Sequence, residues 1–151
     1  MQFSANSVAN AFLRLSQRDT QPLTNMQLQK LVYIAHGYNL ALFDEPLIED
    51  QVKAWQWGPV IPPLYNRLKK YGAGVIDGEV KDAVTIDPAS NEGRVIEQVW
   101  QSYKGFTGAQ LSAITHQEGS PWSATWAVDK FGVIDNSLIA EHYKSLLARN
   151  A

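Results

Sequence analysis

Thr24-Asn25-Met26-Gln27-Leu28-Gln29-Lys30-Leu31-Val32-Tyr33-Ile34-Ala35-His36-Gly37-Tyr38-Asn39-Leu40-Ala41-Leu42-Phe43 is the stretch on which the fold turns. Its first four residues have the capping-box form, in which the Thr24 oxygen and the Gln27 side chain satisfy each other's free backbone donors. A helix therefore opens at about residue 25, and Asp44-Glu45-Pro46 closes it after residue 43. Leu28, Leu31, Val32, Ala35, Tyr38 and Leu42 fall on one wide apolar stripe, while Ile34 and Leu40 lie outside it. A helix apolar beyond one stripe is buried on much of its circumference, so this is the central helix.

The flanking segments read as its cover. Val8, Phe12 and Leu15 mark one face of a helix over about 4–18. Beyond the central helix, Ile48, Val52, Trp55 and Trp57 suggest a short strand or hairpin within 47–57. Pro62-Pro63 supply the preset φ of a first helical turn, and Ile61, Leu64, Tyr65 and Leu68 continue the helical period toward a glycine stop at Gly72. Val75-Ile76 and Val84-Thr85-Ile86 are weaker strand candidates. Asp87-Pro88 reads as a cap with an N1 proline ahead of the stripe Val95, Ile96, Val99, Trp100 and Tyr103. Thr107-Gly108-Ala109-Gln110 repeats the capping-box form and opens a shorter helix that Gly119 and Pro121 close. A turn of helix follows over 122–128, and Asp135 caps a last helix carrying Leu138, Ile139, His142, Tyr143 and Leu146. The expected architecture is mainly α: a single compact domain over 1–151 of five to six helices, with a small hairpin or short strands near 47–57 and 75–86.

Composition limits the chemistry. A chain of 151 residues buries roughly 68–70% of its unfolded surface and folds without staples. With 45% hydrophobic residues, 19% charged and a net charge of -2, it is neither disordered nor a basic, phosphate-neutralising protein. The absence of cysteine removes thiolate zinc sites, iron–sulfur clusters and thiol nucleophiles. His116-x-Glu118 resembles half of a zinc deaminase site whose other half needs cysteines. His36, His116 and His142 lack the spacing that brings two imidazoles to one ion on a helix. Gly72-x-Gly74 has Asp77 where a dinucleotide loop needs its third glycine. No catalytic, metal or cofactor residue is assigned, and a small hydrolase using His36 or His116 is the least favoured reading. Neither a signal peptide nor a stretch of about 20 apolar residues is present, so a cytoplasmic protein without membrane contact is expected.

Two surfaces invite a partner. Arg67, Lys69 and Lys70 stand between Tyr65 and Tyr71, a pattern that grips single-stranded nucleic acid when exposed and a solvated helix face otherwise. Lys30, Tyr33 and Gly37 recur at i, i+3 and i+7 on the central helix, offset from its main stripe. A glycine inside a helix costs about 1 kcal/mol relative to alanine and usually marks a close approach. The approaching group is either internal, such as the backbone of residues 55–59, or a partner anchored on Tyr33 with Lys30 at the rim.

Leu23 to Gly37, Pro46-Leu47, and Ala54-Trp55-Gln56-Trp57-Gly58-Pro59-Val60-Ile61-Pro62 follow one another in an order that resembles the Panacea domain, the family of SocA-like antitoxins and phage-associated GepA-type proteins. The likeness continues through Tyr65, Tyr71-Gly72, Ile76, Leu111 to His116, Pro121-Trp122 and Ile134. It implies a mostly helical, non-enzymatic antitoxin that neutralises a toxin encoded beside it by direct binding. It also implies a proteolytic adaptor role in which the toxin is presented to an AAA+ protease. No separate DNA-binding domain is expected. Lys30, Tyr33, Gly37, Trp57 and Tyr65 are the expected partner-binding residues; a nucleic-acid-binding regulatory or phage-associated accessory protein is the alternative.

Overall fold

In the computed structural model, which describes residues 2–150, the Thr24 hydroxyl accepts the Gln27 N–H at 3.3 Å and the Gln27 side chain accepts the Thr24 N–H at 2.9 Å. This closed capping box starts the central helix, which ends at Asp44 in the left-handed conformation. Removing the cap with Thr24→Ala is expected to cost about 1 kcal/mol, read as a fall in Tm of roughly 2–4 °C with the fold intact. The described residues form α1 (Ala5–Asp19), α2 (Asn25–Phe43), β1 (Lys53–Trp55), β2 (Gly58–Val60), α3 (Pro62–Leu68), α4 (Asn91–Tyr103), α5 (Gly108–His116), α6 (Pro121–Val128) and α7 (Asn136–Arg149), with a 3-10 turn over Lys69–Tyr71.

Helices α1, α4, α5 and α7 all pack on α2, which explains why its apolar residues exceed one stripe. Leu28, Leu31, Val32, Tyr33, Ile34, Ala35 and Leu40 are buried among them, whereas Leu42, expected on the stripe, is about half exposed at the last turn. Trp100 of α4 is the largest fully buried side chain, and its indole N–H donates to Asp19 Oδ2 at 2.7 Å.

The architecture is mainly helical with one small antiparallel hairpin, as expected; the described residues hold seven α-helices rather than five or six. The residue 122–128 turn is a two-turn helix, capped by Ser120 with Pro121 at its start. The 75–86 segment is not a strand pair. Val75 makes a single antiparallel bridge to Thr24, with Ile76 N donating to Leu23 O at 2.8 Å. Further along, side chains of α1 meet the backbone: Asn10 donates to Val80 O at 2.7 Å and accepts from Val80 N at 2.6 Å, and Ser7 Oγ accepts from Val84 N at 2.9 Å. A polar side chain that satisfies both groups of one residue removes the need for a neighbouring strand. Helix α4 begins at Asn91 with Ser90 as its cap, not at Asp87-Pro88. Those two residues form a preceding turn folded against Gly93, where a Cβ would lie 2.3 Å from Asp87 O.

The hairpin is two-residue, with Trp55 opposite Gly58 and Gln56-Trp57 at its tip. Gly58 has φ +115°, which favours glycine there. Residues 131–134 run along the outer side of β1, through Phe131 N to Ala54 O, Ala54 N to Gly132 O and Ile134 N to Val52 O, each 2.8–2.9 Å.

Candidate functional site

Three carbonyls of the hairpin, at alternate residues, are each held by a side chain from a different helix. Trp122 Nε1 of α6 donates to Trp55 O at 2.6 Å, Ser112 Oγ of α5 to Trp57 O at 2.6 Å, and Lys30 Nζ of α2 to Pro59 O at 2.8 Å. Gln29, one residue before Lys30, accepts the Ile61 N–H at 3.0 Å and so holds the exit of β2. With both ends clamped, the tip is fixed, and Trp57 projects from it 64% exposed. An exposed aromatic on a backbone held this way is pre-organised for contact, because little ordering remains to oppose binding.

Beside Trp57 lies a groove of about 600 Å³ between the start of α2, the hairpin, and the Tyr65 to Ala73 region. Its walls are largely apolar and aromatic: Met26, Trp55, Trp57, Val60, Tyr65 and Phe131. Trp55 and Tyr65 meet edge to face with centroids 5.1 Å apart. Phe131, about half exposed, continues the surface onto Trp126 at 5.2 Å, and Trp126 stacks on Trp122 at 5.3 Å. Sequence periodicity could not reach Phe131, which stands in a loop at positive φ between two helices.

Of the five residues expected to meet a partner, Lys30, Trp57 and Tyr65 converge on this groove. Tyr33 and Gly37 do not. Tyr33 is 1% exposed, its hydroxyl has no hydrogen-bond partner, and its ring lies edge-on to Tyr143 of α7 at 6.1 Å. Gly37 faces the same Tyr143 ring, not the 55–59 backbone. Seven residues along a helix span about 10 Å, so the hairpin that covers Lys30 ends short of Gly37 and α7 covers the rest.

His36 and His116 are accounted for by packing. His36 is buried; Nδ1 accepts from Leu47 N at 3.2 Å and Ile48 N at 3.3 Å, so Nε2 carries the proton and donates to Asn136 Oδ1 at 2.9 Å. Burial lowers its pKa and keeps it neutral. His116 Nδ1 is turned onto the Ser112 carbonyl of its own helix, and its ring meets Trp122. Among the described residues no three or more His, Cys, Asp or Glu side chains are placed to hold a metal ion, and no helix is long and apolar enough to cross a membrane. The basic cluster is dispersed: Arg67 pairs with Asp82 at 2.6 Å, Lys70 stands over the Tyr71 ring, and Lys69 lines the groove.

A mainly helical domain that clamps one hairpin in place and presents an aromatic groove beside it is the class that fold and site define. The chain belongs to the Antitoxin SocA-like, Panacea domain family, which it matches over residues 28–123. It is 32% identical over 129 residues to Antitoxin SocA of Caulobacter vibrioides (strain NA1000 / CB15N), an alignment covering 78% of this chain and 68% of that protein. No solved structure matches it.

Proposed function

We propose that this protein is the antitoxin of a toxin–antitoxin pair and neutralises a toxin encoded nearby by direct protein–protein contact at the groove beside Trp57. Membership of the SocA-like family supports the antitoxin role. The observation that carries the contact surface is the 64% exposure of Trp57 on a hairpin clamped by α2, α5 and α6. Tryptophan is enriched among the few residues that dominate binding energy, and one held rigid beside an apolar groove suits that role. The protein acts in the cytoplasm by occupancy rather than turnover, without cofactor or metal. Bound toxin is also handed to an AAA+ protease, as the adaptor reading requires.

Co-expression with the product of the adjacent gene tests the reading through growth rescue and co-purification. Trp57→Ala is expected to leave Tm within about 1–2 °C of wild type, because the side chain is mostly exposed, while weakening toxin binding about tenfold or more. Unchanged rescue and affinity would remove the groove as the contact. Toxin levels that fall equally in cells with and without the ATP-dependent protease would remove the adaptor step and leave sequestration.

A further inference from the structure

The groove contains two ammonium groups and no carboxylate. Lys30 lies at its floor and Lys69 is exposed at its edge, and the remaining lining residues are uncharged. Among the described residues neither lysine enters an ion pair. Lys30 is 2% exposed, and the Pro59 carbonyl is its one hydrogen-bond partner there, although an ammonium carries three donors. A buried charge without a counter-ion is costly, and a buried methionine would fill the same space without that cost. Burial alone lowers the Lys30 pKa to about 7; no neighbouring acid acts to raise it.

The geometry points to a counter-ion brought by the partner: a protein segment that lays an Asp or Glu side chain onto Lys30 and its apolar neighbours against Trp55, Trp57 and Tyr65. This rests on the antitoxin reading for the partner's biological identity, but the recognition chemistry can be tested separately. The match is local. The chain as a whole is net negative at -2, so general attraction of acidic proteins does not explain it. One buried cation between aromatic walls suits a single carboxylate, since an ionised acceptor and donor form a short, strong, charge-assisted bond. The entering carboxylate would hold Lys30 protonated.

The probes are acetylated and amidated pentapeptides with Glu, Asp, Gln or Asn at the centre and Leu or Phe on both sides, titrated against the full chain by tryptophan fluorescence. The Glu and Asp peptides are expected to bind at least about tenfold tighter than their amides, a difference of about 1.4 kcal/mol. In Lys30→Met and in Lys30→Gln that preference is lost, with helicity and cooperative melting retained. Equal binding of acid and amide, no binding of any peptide, or a preference that survives both substitutions would overturn the inference. Tighter binding of a free C-terminal carboxylate than of an internal Glu would overturn the side-chain assignment. These peptides owe nothing to the toxin, so a negative result here leaves the antitoxin reading standing, and failed co-purification of the toxin leaves the acid preference standing.

Discussion

Gly37→Ala is expected to destabilise the protein by about 3 kcal/mol, a fall in Tm of roughly 6–12 °C, although alanine is the better helix former. In an open helix the substitution would gain about 1 kcal/mol. Here a Cβ on residue 37 would lie 2.2 Å from Tyr143 Cδ2 and 2.3 Å from Cε2, well inside contact distance. The ring cannot step aside, because it is buried with its edges against Tyr38 at 4.8 Å and Tyr33 at 6.1 Å. Overpacking a filled core costs about 1–3 kcal/mol or more, and a clash with an enclosed ring belongs at the upper end. A double-mutant cycle separates this clash from a general effect on the helix. In a Tyr143→Leu background the same Gly37→Ala change is expected to be neutral or stabilising. Equal destabilisation in both backgrounds, read by chemical denaturation, would place the cause elsewhere.

The second large effect depends on pH. Lys30 has a folded pKa of about 7 against an ordinary value of 10.5, because burial disfavours its charge. Below about pH 7 both folded and unfolded chains carry the proton, and the burial penalty is present in full. Between pH 7 and 10.5 the unfolded chain binds more protons, so the Lys30 contribution to stability rises with pH; above that range the penalty is gone. Lys30→Met removes this term. Relative to wild type, the variant is expected to lose about 3 kcal/mol of its advantage between pH 6 and pH 9.5, or roughly 6–12 °C in relative Tm. The pH-independent loss of the Pro59 hydrogen bond shifts the whole difference curve without changing its slope. Groups common to both proteins whose ionisation does not sense Lys30 cancel in the comparison. A flat difference curve would show that Lys30 is not held as an uncompensated buried amine.

Helix starts were legible where the cap chemistry is local. Thr24 with Gln27, Thr107 with Gln110, and Asp135 each begin the helix expected of them. Asp87-Pro88 misled because Ser90, three residues on, offers the same chemistry and wins once the turn folds onto Gly93. Val75 and Ile76 form only a single bridge to the Leu23-Thr24 backbone, and the strand preference of Val84 was overridden by Ser7, which lies far away in the chain and has no sequence signature as a strand partner. The site was half legible for a related reason. Spacing tells which residues share a helix face, not which element covers it, so Lys30 and Tyr33 looked equivalent although the hairpin covers one and α7 the other. Composition likewise could not separate Trp57, on a turn, from Trp100, in the core.

The placement of α1, α7 and the 131–134 segment bears on modularity. Residues 28–123, the span matched by the family, include most of the central helix but not the two terminal helices that pack on it. They also omit the stretch paired to β1 and the Thr24 cap. Cut out alone, that span would uncover the Tyr33, Gly37 and Tyr38 face of the central helix that Tyr143 packs against, and release one edge of the hairpin. The recognisable family signature is therefore narrower than the cooperative folding unit, and a transplantable version of this groove has to carry both terminal helices with it.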